Sequence, residues 1–378
     1  MAMTRNSLIF GGVNSADYNV WISGADSYSA PERDVEVVSV PGRNGDLIID
    51  NGKWNNISIT YPAFIPKGFE NQFNYFRSAI CRNTGYQRLE DTYHPDEYRM
   101  ARLAGGLSPS KVGAFLRNGD FSLTFNCKPQ RFLKVGDEPV QILIPFVSAG
   151  KIESYYIPAY EDGKLDFEVH CVPTDTLTVV VKEYDSTGTE TDSTSFTCSN
   201  GDTESVDILE HRYYRILVSG ISVASYIDET YVRVQMIAKY ENAPVEVNAV
   251  LARSWWLTNP TGYYAKPMIE MYAKRVPYFA IRNYVNGEEK DFYSFYSSET
   301  TADRLYLDCD LQYMYDDDRT NLTNYLTLTN AISAVGEGMV FPRLGEVDIW
   351  LYIYAQTIVP SMDDGMGLIK LYPRWWKL

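Results

Sequence analysis

Apolar positions alternate with polar ones along most of this chain, and a period of two predicts strands. Val35-Glu36-Val37-Val38-Ser39-Val40 and Asn56-Ile57-Ser58-Ile59-Thr60-Tyr61 are β-branched and largely alternating, each bounded by Gly, Asn or Pro. Between them, Pro41-Gly42-Arg43-Asn44-Gly45-Asp46 and Asp50-Asn51-Gly52 are dense in turn residues, and Asn-Gly is a hairpin signal. One stretch switches to the helical period. Phe69, Phe73, Phe76 and Ile80 line one face of a 3.6-residue repeat, with Pro66 just before it and Gly85 placed to serve as the residue past its end. Such a stripe predicts packing on a sheet rather than a ligand site. Phe121 to Phe125 reads as a strand that closes this first unit before Lys128-Pro129-Gln130-Arg131-Phe132-Leu133.

The next stretch is strand after strand. Leu165 to Val169, Leu177 to Val181, Tyr213 to Val218 and Val232 to Ile237 alternate or run apolar, with Gly, Asp and Ser between them. Short strands with polar turns and no amphipathic helix predict an all-β sandwich. The acidic Ser/Thr stretch Asp185 to Ser195 reads as a hairpin tip or long loop. The final third continues in kind: Pro267 to Tyr272, Asp291 to Tyr296, Arg304 to Asp308 and Val347 to Tyr354 read as strands, with Asn286-Gly287 as a further hairpin signal.

Charge divides the same chain. Residues 1–135 carry 15 Lys/Arg against 13 Asp/Glu, residues 136–257 carry 8 against 20, and residues 258–378 carry 11 against 16, within a net charge of −15. A near-neutral segment predicts a packing or assembly unit, and a strongly acidic one predicts a solvated, outward surface. An acidic total excludes the basic footprint of a nucleic-acid binder. With 378 residues, two or three cores are expected. No apolar run reaches the ~18 residues of a membrane span, and Met1 to Gly12 lacks the apolar region of a secretory signal, so a soluble chain made in a cytoplasm is expected. Cys81, Cys127, Cys171, Cys198 and Cys309 lie far apart and read as free, buried thiols.

Catalytic and metal patterns are weak. His94, His170 and His211 are isolated, so no zinc site is expected, and no phosphate loop, dinucleotide turn or Gly-x-Ser-x-Gly is present. Asp316-Asp317-Asp318 lacks the alternation of a calcium loop and reads as a solvated turn. No carboxylate pair stands out for glycoside hydrolysis. No cofactor is expected. The 30 Tyr are the unusual feature. In the middle segment Tyr155, Tyr156, Tyr160, Tyr213, Tyr214, Tyr226, Tyr231 and Tyr240 sit amid acidic and polar loops. Exposed rings of this kind stack on the apolar faces of sugars. For any single one, packing in a core or across strands is the competing assignment.

Several stretches carry a family resemblance. Val40-Pro41-Gly42-Arg43-Asn44-Gly45-Asp46-Leu47, followed by Asp50-Asn51-Gly52, resembles the N-terminal signature of distal tail proteins (Dit) of siphophages infecting Gram-positive bacteria. Gly85-Tyr86-Gln87-Arg88-Leu89-Glu90-Asp91, Tyr98-Arg99-Met100-Ala101 and Cys127-Lys128-Pro129-Gln130-Arg131-Phe132-Leu133 follow in the family's order, and Pro373-Arg374-Trp375-Trp376-Lys377-Leu378 resembles its closing motif.

The resemblance implies a mainly β chain in three parts. These are a ring-forming domain at 1–135 (β-sandwich, one helix, extended hairpin), an inserted jelly-roll sandwich similar to carbohydrate-binding modules at 136–257, and a galectin-like sandwich at 258–378. The insertion departs from the family's simple form. The implied assembly residues are Pro41, Gly42, Arg43, Asn44, Gly45, Asp46, Lys128, Pro129, Arg131, Arg374, Trp375 and Trp376. The implied role is a non-enzymatic virion structural protein of the tail tip or baseplate, assembled in the host cytoplasm. It would form a homo-hexamer between the tail tube protein and the tail-associated fibre or lysin hub protein, with receptor-binding proteins and a host cell-wall saccharide as further partners and neither nucleic acid nor membrane insertion. The rival readings are a carbohydrate-binding adhesin and, behind it, a polysaccharide hydrolase.

Overall fold

A computed structural model describes residues 5–113, 117–148, 150–222, 227–272, 274, 279–298, 301–330, 341–353 and 361–378. The chain is mainly β, with a single α-helix among the described residues. It divides into two compact units: residues 1–136 with 376–378, and residues 137–375.

The first unit is built on one antiparallel sheet, whose spine is the long strand Gly119–Leu133. Ile57–Ile65 pairs with this spine on one side and Glu97–Leu103 on the other, and Gln87–Asp91 and Leu8–Phe10 continue beyond. The helix α1 spans Phe69–Ile80, and Phe69, Phe73, Phe76 and Ile80 are its buried residues, as their spacing predicts. They join Ile59, Tyr61, Phe121, Leu123 and Phe125 in one core, where Phe73 meets Phe121 edge-on at 5.0 Å. Gly119 is small for a reason: a Cβ there would fall 2.6 Å from the Phe69 ring and 2.9 Å from the Lys111 carbonyl.

Three local expectations are corrected here. Gly85 is not the helix terminator, because Cys81 caps α1 with right-handed backbone and Gly85 (φ 72°) serves a later turn. Cys81 is exposed rather than buried, while the other four cysteines are buried and all five are free. Lys128 to Leu133 does not lie beyond the strand but within it.

Arg33–Val38 and Leu47–Trp54 pair as a separate two-stranded ribbon. Pro41 to Asp46 form its turn, with Gly42 and Gly45 both at φ 82°, where a side chain would be strained. Asp50-Asn51-Gly52 is not a second turn. It lies inside the strand, where Gly52 (φ 73°) accompanies a register shift and donates its N–H to Asp50 at 2.8 Å.

The second unit is organised by a nine-stranded sheet. Its first half carries Thr203–Ile208, Gly163–His170, Tyr231–Tyr240 and Ala243–Ala252. Val140–Leu143, parallel to Ala243–Ala252, links these to Leu368–Tyr372, Met268–Tyr272, Leu305–Asp308 and Tyr313–Tyr315. Alternation then puts apolar residues on opposite faces of the two halves. In the first half Leu165, Val169, Val232, Val234, Val247 and Leu251 face a six-stranded sheet, whose Val179, Val181, Ile216 and Val218 complete that core. In the second half Ile142, Ile369, Leu371, Ile269, Met271, Leu305 and Leu307 point the other way and are equally buried. A five-stranded sheet, ordered Ser254–Thr258, Asp348–Ile353, Phe279–Val285, Glu288–Ser297 and Leu326–Asn330, supplies the further layer.

The predicted strands of this half are present with ends shifted by a few residues. Asp185 to Ser195 is only partly a loop, since the strand Glu190–Cys198 begins within it. Asn286-Gly287 turns a hairpin with φ of 55° and 83°. Tyr226 and Tyr354 lie outside the described residues.

Candidate functional site

The stretches 85–91, 98–101 and 127–133, far apart in sequence, meet on neighbouring strands of the first unit. The device that brings them together is a bulge. Cys127 pairs with Ala101 and Arg131 with Arg99, so Lys128, Pro129 and Gln130 form an excursion opposite one residue. Proline is tolerated there because no ladder N–H is needed. The free Pro129 carbonyl accepts from Arg99 Nη1 at 3.0 Å.

Past the bulge, Arg131 is turned inward and nearly buried, its side chain 9% exposed. Its guanidinium donates to Glu97 Oε2 at 3.1 Å, to His94 Nδ1 at 2.8 Å and to the Ser27 carbonyl. Since Nδ1 accepts, the imidazole is neutral in this arrangement. Burial, and then the Arg131 charge, hold the His94 pKa below its usual value. For Glu97, burial pushes the carboxyl up, but hydrogen bonds from Lys377 and Arg131 outweigh it and hold it below the usual range. Lys377 reaches Glu97 Oε1 at 2.6 Å from the short strand Trp376–Lys377, which pairs with Phe132 and Arg131.

A second layer rests on this one. Tyr61 donates to Asp91 Oδ2 at 2.7 Å, and Asp91 Oδ1 accepts from the backbone N–H groups of Tyr93 and His94 at 2.9 Å each. Burial, then the Asp91 charge, push the Tyr61 hydroxyl far up. Arg88 lies over the Tyr98 ring at 3.7 Å, and Tyr98 stacks on Phe132 at 5.3 Å. Lys128 stays outside, 5.5 Å above the Tyr86 ring. This is structural chemistry: Arg131 and Lys377 pair with Glu97, the adjoining cavity is about 10 Å³, and that space suits about one water rather than a substrate.

The ribbon is the opposite case. Val35, Val37, Val40, Leu47, Ile48 and Ile49 are exposed, Val37 at 58% and Ile48 at 65%. Arg33 pairs with Asp50 at 2.9 Å and Lys53 with Asp34 at 3.0 Å along its length. Pro41, Gly42, Arg43, Asn44, Gly45 and Asp46 occupy its tip, all exposed. They therefore stand apart from the network that holds Pro129 and Arg131, as Lys128 does.

The closing residues separate as well. Arg374, in the second unit, adopts φ 55° and forks onto Asp308 with two hydrogen bonds of 3.0 Å. Burial pushes the Asp308 carboxyl up, but Arg374 and the backbone N–H groups of Leu311 and Asp310 hold it below its usual range. Trp375 is 5% exposed in that unit, whereas Trp376 pairs with Phe132 in the first. His94, Glu97, Ser27 and Tyr61 were not signalled by the sequence motifs. The one available cue was position, since His94 and Glu97 fall between two of those motifs.

Of the middle-segment tyrosines, Tyr155 and Tyr214 are buried, and Tyr214 belongs to the sandwich core. Tyr156, Tyr160, Tyr213, Tyr231 and Tyr240 are half-buried. His170 stacks on Tyr231 at 4.4 Å, and His211 lies on an exposed turn. Asp317 accepts from Arg304, from Tyr240 at 2.8 Å and from Tyr306 at 3.0 Å, and Asp316 caps its own turn through the Thr320 N–H at 2.8 Å. Among the described residues no group of three His, Cys, Asp or Glu side chains is arranged to hold a metal.

No protein-family model matches the sequence, and no curated protein does. Among solved structures, the chain is similar to the Dit protein (gp 19.1) of phage SPP1, described as a paradigm of the hub adsorption apparatus of phages infecting Gram-positive bacteria. Identity is 8% over 97% of this chain and 98% of that one, with a TM-score of 0.46. It is also similar to a chain of the phage p2 baseplate in its activated, Sr-containing conformation, with 9% identity over 94% of this chain and 99% of that one, and a TM-score of 0.36.

Proposed function

We propose that this chain is a non-enzymatic subunit of a phage tail tip that closes into a six-membered ring between the tail tube and the fibre or lysin hub protein. The observation that carries this reading is the ribbon of residues 33–54. A lone two-stranded ribbon is marginal in water, and this one leaves six large apolar side chains exposed. Such a ribbon requires a partner surface. Its tip holds the residues that resemble the family's first signature, and a neighbouring copy is the partner that a closed ring supplies. The near-neutral charge of residues 1–135 favours the same reading, since like charges repeated around a ring repel.

In this reading residues 1–135 form the ring, residues 136–257 an outward-facing inserted module that contacts a host-surface saccharide, and residues 258–378 a galectin-like module that docks other tail components. The buried network around Arg131 is the brace that holds the ring-forming sheet in shape. The test is solution mass by light scattering, alone and with tube and hub partners. A mass of about six times 43.1 kDa, lost in Val37→Asp/Ile48→Asp, supports the ring. A monomer under every condition rejects it. A second reading, a free-standing saccharide adhesin, draws on the acidic, tyrosine-rich middle segment and predicts sugar binding without any oligomer.

A further inference from the structure

The second unit holds a cleft of about 500 Å³, inside the range of small-ligand sites. It lies where the edge of the six-stranded sheet meets the end of the strand Tyr231–Tyr240 and the turn Met362–Asp364. Tyr156, Tyr213 and Tyr240 line it, together with Lys239, Glu241 and Asp363. It therefore joins residues from both the middle and the final thirds of the sequence.

Two of the three rings are fixed in place before any ligand arrives. Tyr156 carries the Arg215 guanidinium on its ring at 4.9 Å and meets Tyr184 edge-on at 5.0 Å. Tyr240 carries Arg304 at 4.7 Å, meets Tyr272 edge-on at 5.2 Å, and donates its hydroxyl to Asp317 at 2.8 Å. Rings held this way contribute contact area at little entropic cost. The polar groups are disposed differently. Lys274, also on the cleft, is spent on Asp303 at 3.0 Å. Lys239, Glu241 and Asp363 form no ion pair among the described residues, so donor and acceptor capacity of both signs remains. A charged ligand would meet a like charge here, whereas a neutral polyhydroxylated one could use all three.

His211 (φ 66°) and Glu241 (φ 53°), both on the cleft, take left-handed conformations because each sits in a tight turn, Glu241 in the two-residue hairpin turn after Tyr240. By contrast, a larger groove of about 650 Å³ on the outer face of the nine-stranded sheet is lined by Asp166, Glu168, Arg233, Gln235 and Asn248, and its one ring, Phe167, is buried.

We infer that the tyrosine cleft binds a neutral oligosaccharide, with sugar faces against Tyr156, Tyr213 and Tyr240 and hydroxyls taken by Lys239, Glu241 and Asp363. This rests on the saccharide-contact reading above and gives it a place. The test uses the full chain on an array of neutral and anionic bacterial-surface oligosaccharides, followed by calorimetric titration of the neutral glycan with the highest signal. Tyr213→Ala is expected to weaken binding at least tenfold. Glu241→Gln, at an exposed turn position that leaves the fold alone, is expected to weaken it about tenfold. Arg233→Ala with Asn248→Ala is expected to stay within about twofold of the parent. If both cleft variants bind like the parent while the Arg233/Asn248 variant does not, the cleft assignment is overturned and the saccharide reading stands. If only anionic glycans bind, the neutral-ligand inference is overturned. A parent chain that binds no arrayed glycan overturns the saccharide reading and the cleft together.

Discussion

Replacing Arg131 by alanine tests whether the signature residues of the first unit act as a brace. The substitution leaves Glu97 with Lys377 alone at 2.6 Å, and strips the donor from the Ser27 carbonyl and from His94 Nδ1. Removing one member of a buried ion pair costs about 3–5 kcal/mol. Because Lys377 still compensates Glu97, the lower end applies, about 3 kcal/mol. That is about a hundredfold in an opening equilibrium. Hydrogen–deuterium exchange, read on peptides covering 97–103 and 119–133, should show this loss of protection while the strands of the second unit are unchanged. Arg131→Lys keeps the charge but loses the planar fork, and is expected to recover less than half of the protection.

The pH dependence follows from Glu97, whose folded pKa lies below its unfolded value because Lys377 and Arg131 outweigh the effect of burial. A depressed carboxyl stabilises the fold fully above the unfolded pKa, and this is lost as pH falls through the folded one. The gap between parent and Arg131→Ala should therefore narrow below about pH 4. Protection in Arg131→Ala within threefold of the parent, or full rescue by lysine, would refute the brace.

Other expectations are simpler to check. His94 is held neutral by burial and Arg131, so its folded pKa is below the unfolded value; first-unit stability should decline as pH drops from about 6.5, and His94→Gln should flatten that slope in thermal scans. Asp308→Asn removes the anionic partner of Arg374 and should cost about 3 kcal/mol, seen as a lower urea midpoint. Gly119→Ala forces a methyl against Phe69 and the Lys111 carbonyl and should cost about 1–3 kcal/mol in the same assay. Ellman's reagent should find one fast thiol, the exposed Cys81, with all five reacting after denaturation, since burial pushes the Cys127 thiol up to about 12.

What the sequence disclosed was governed by distance along the chain. The α1 stripe of Phe69, Phe73, Phe76 and Ile80 is a local pattern and was readable, as were most strands, because alternation is set by neighbours. Asp50-Asn51-Gly52 carries the same residues whether it turns the chain or bulges a strand, and only the pairing with Val35 and Arg33 decides between them. The network around Arg131 needs strands 87–91, 97–103 and 119–133 in one register, which no local rule fixes. His94 therefore looked like an isolated histidine. The reversal of the apolar face across the nine-stranded sheet is likewise invisible locally, since which face of a strand is covered depends on the sheet packed against it, and Met268–Tyr272 is buried almost throughout. It also bears on fragments: a piece ending at residue 257 leaves Val140–Leu143 without its partner Leu368–Tyr372, and should associate at that open edge.

The strand Trp376–Lys377 completes a unit whose other strands all lie before residue 134. On the ribosome, everything from Asp137 to Trp375 is made between those two events. The first unit must therefore wait, with the flank of Phe132 and Glu97 uncovered, until Trp376 and Lys377 have been made. Only a chain whose second unit has been made can close this seam, so the closure reports that residues 137–375 have been synthesised.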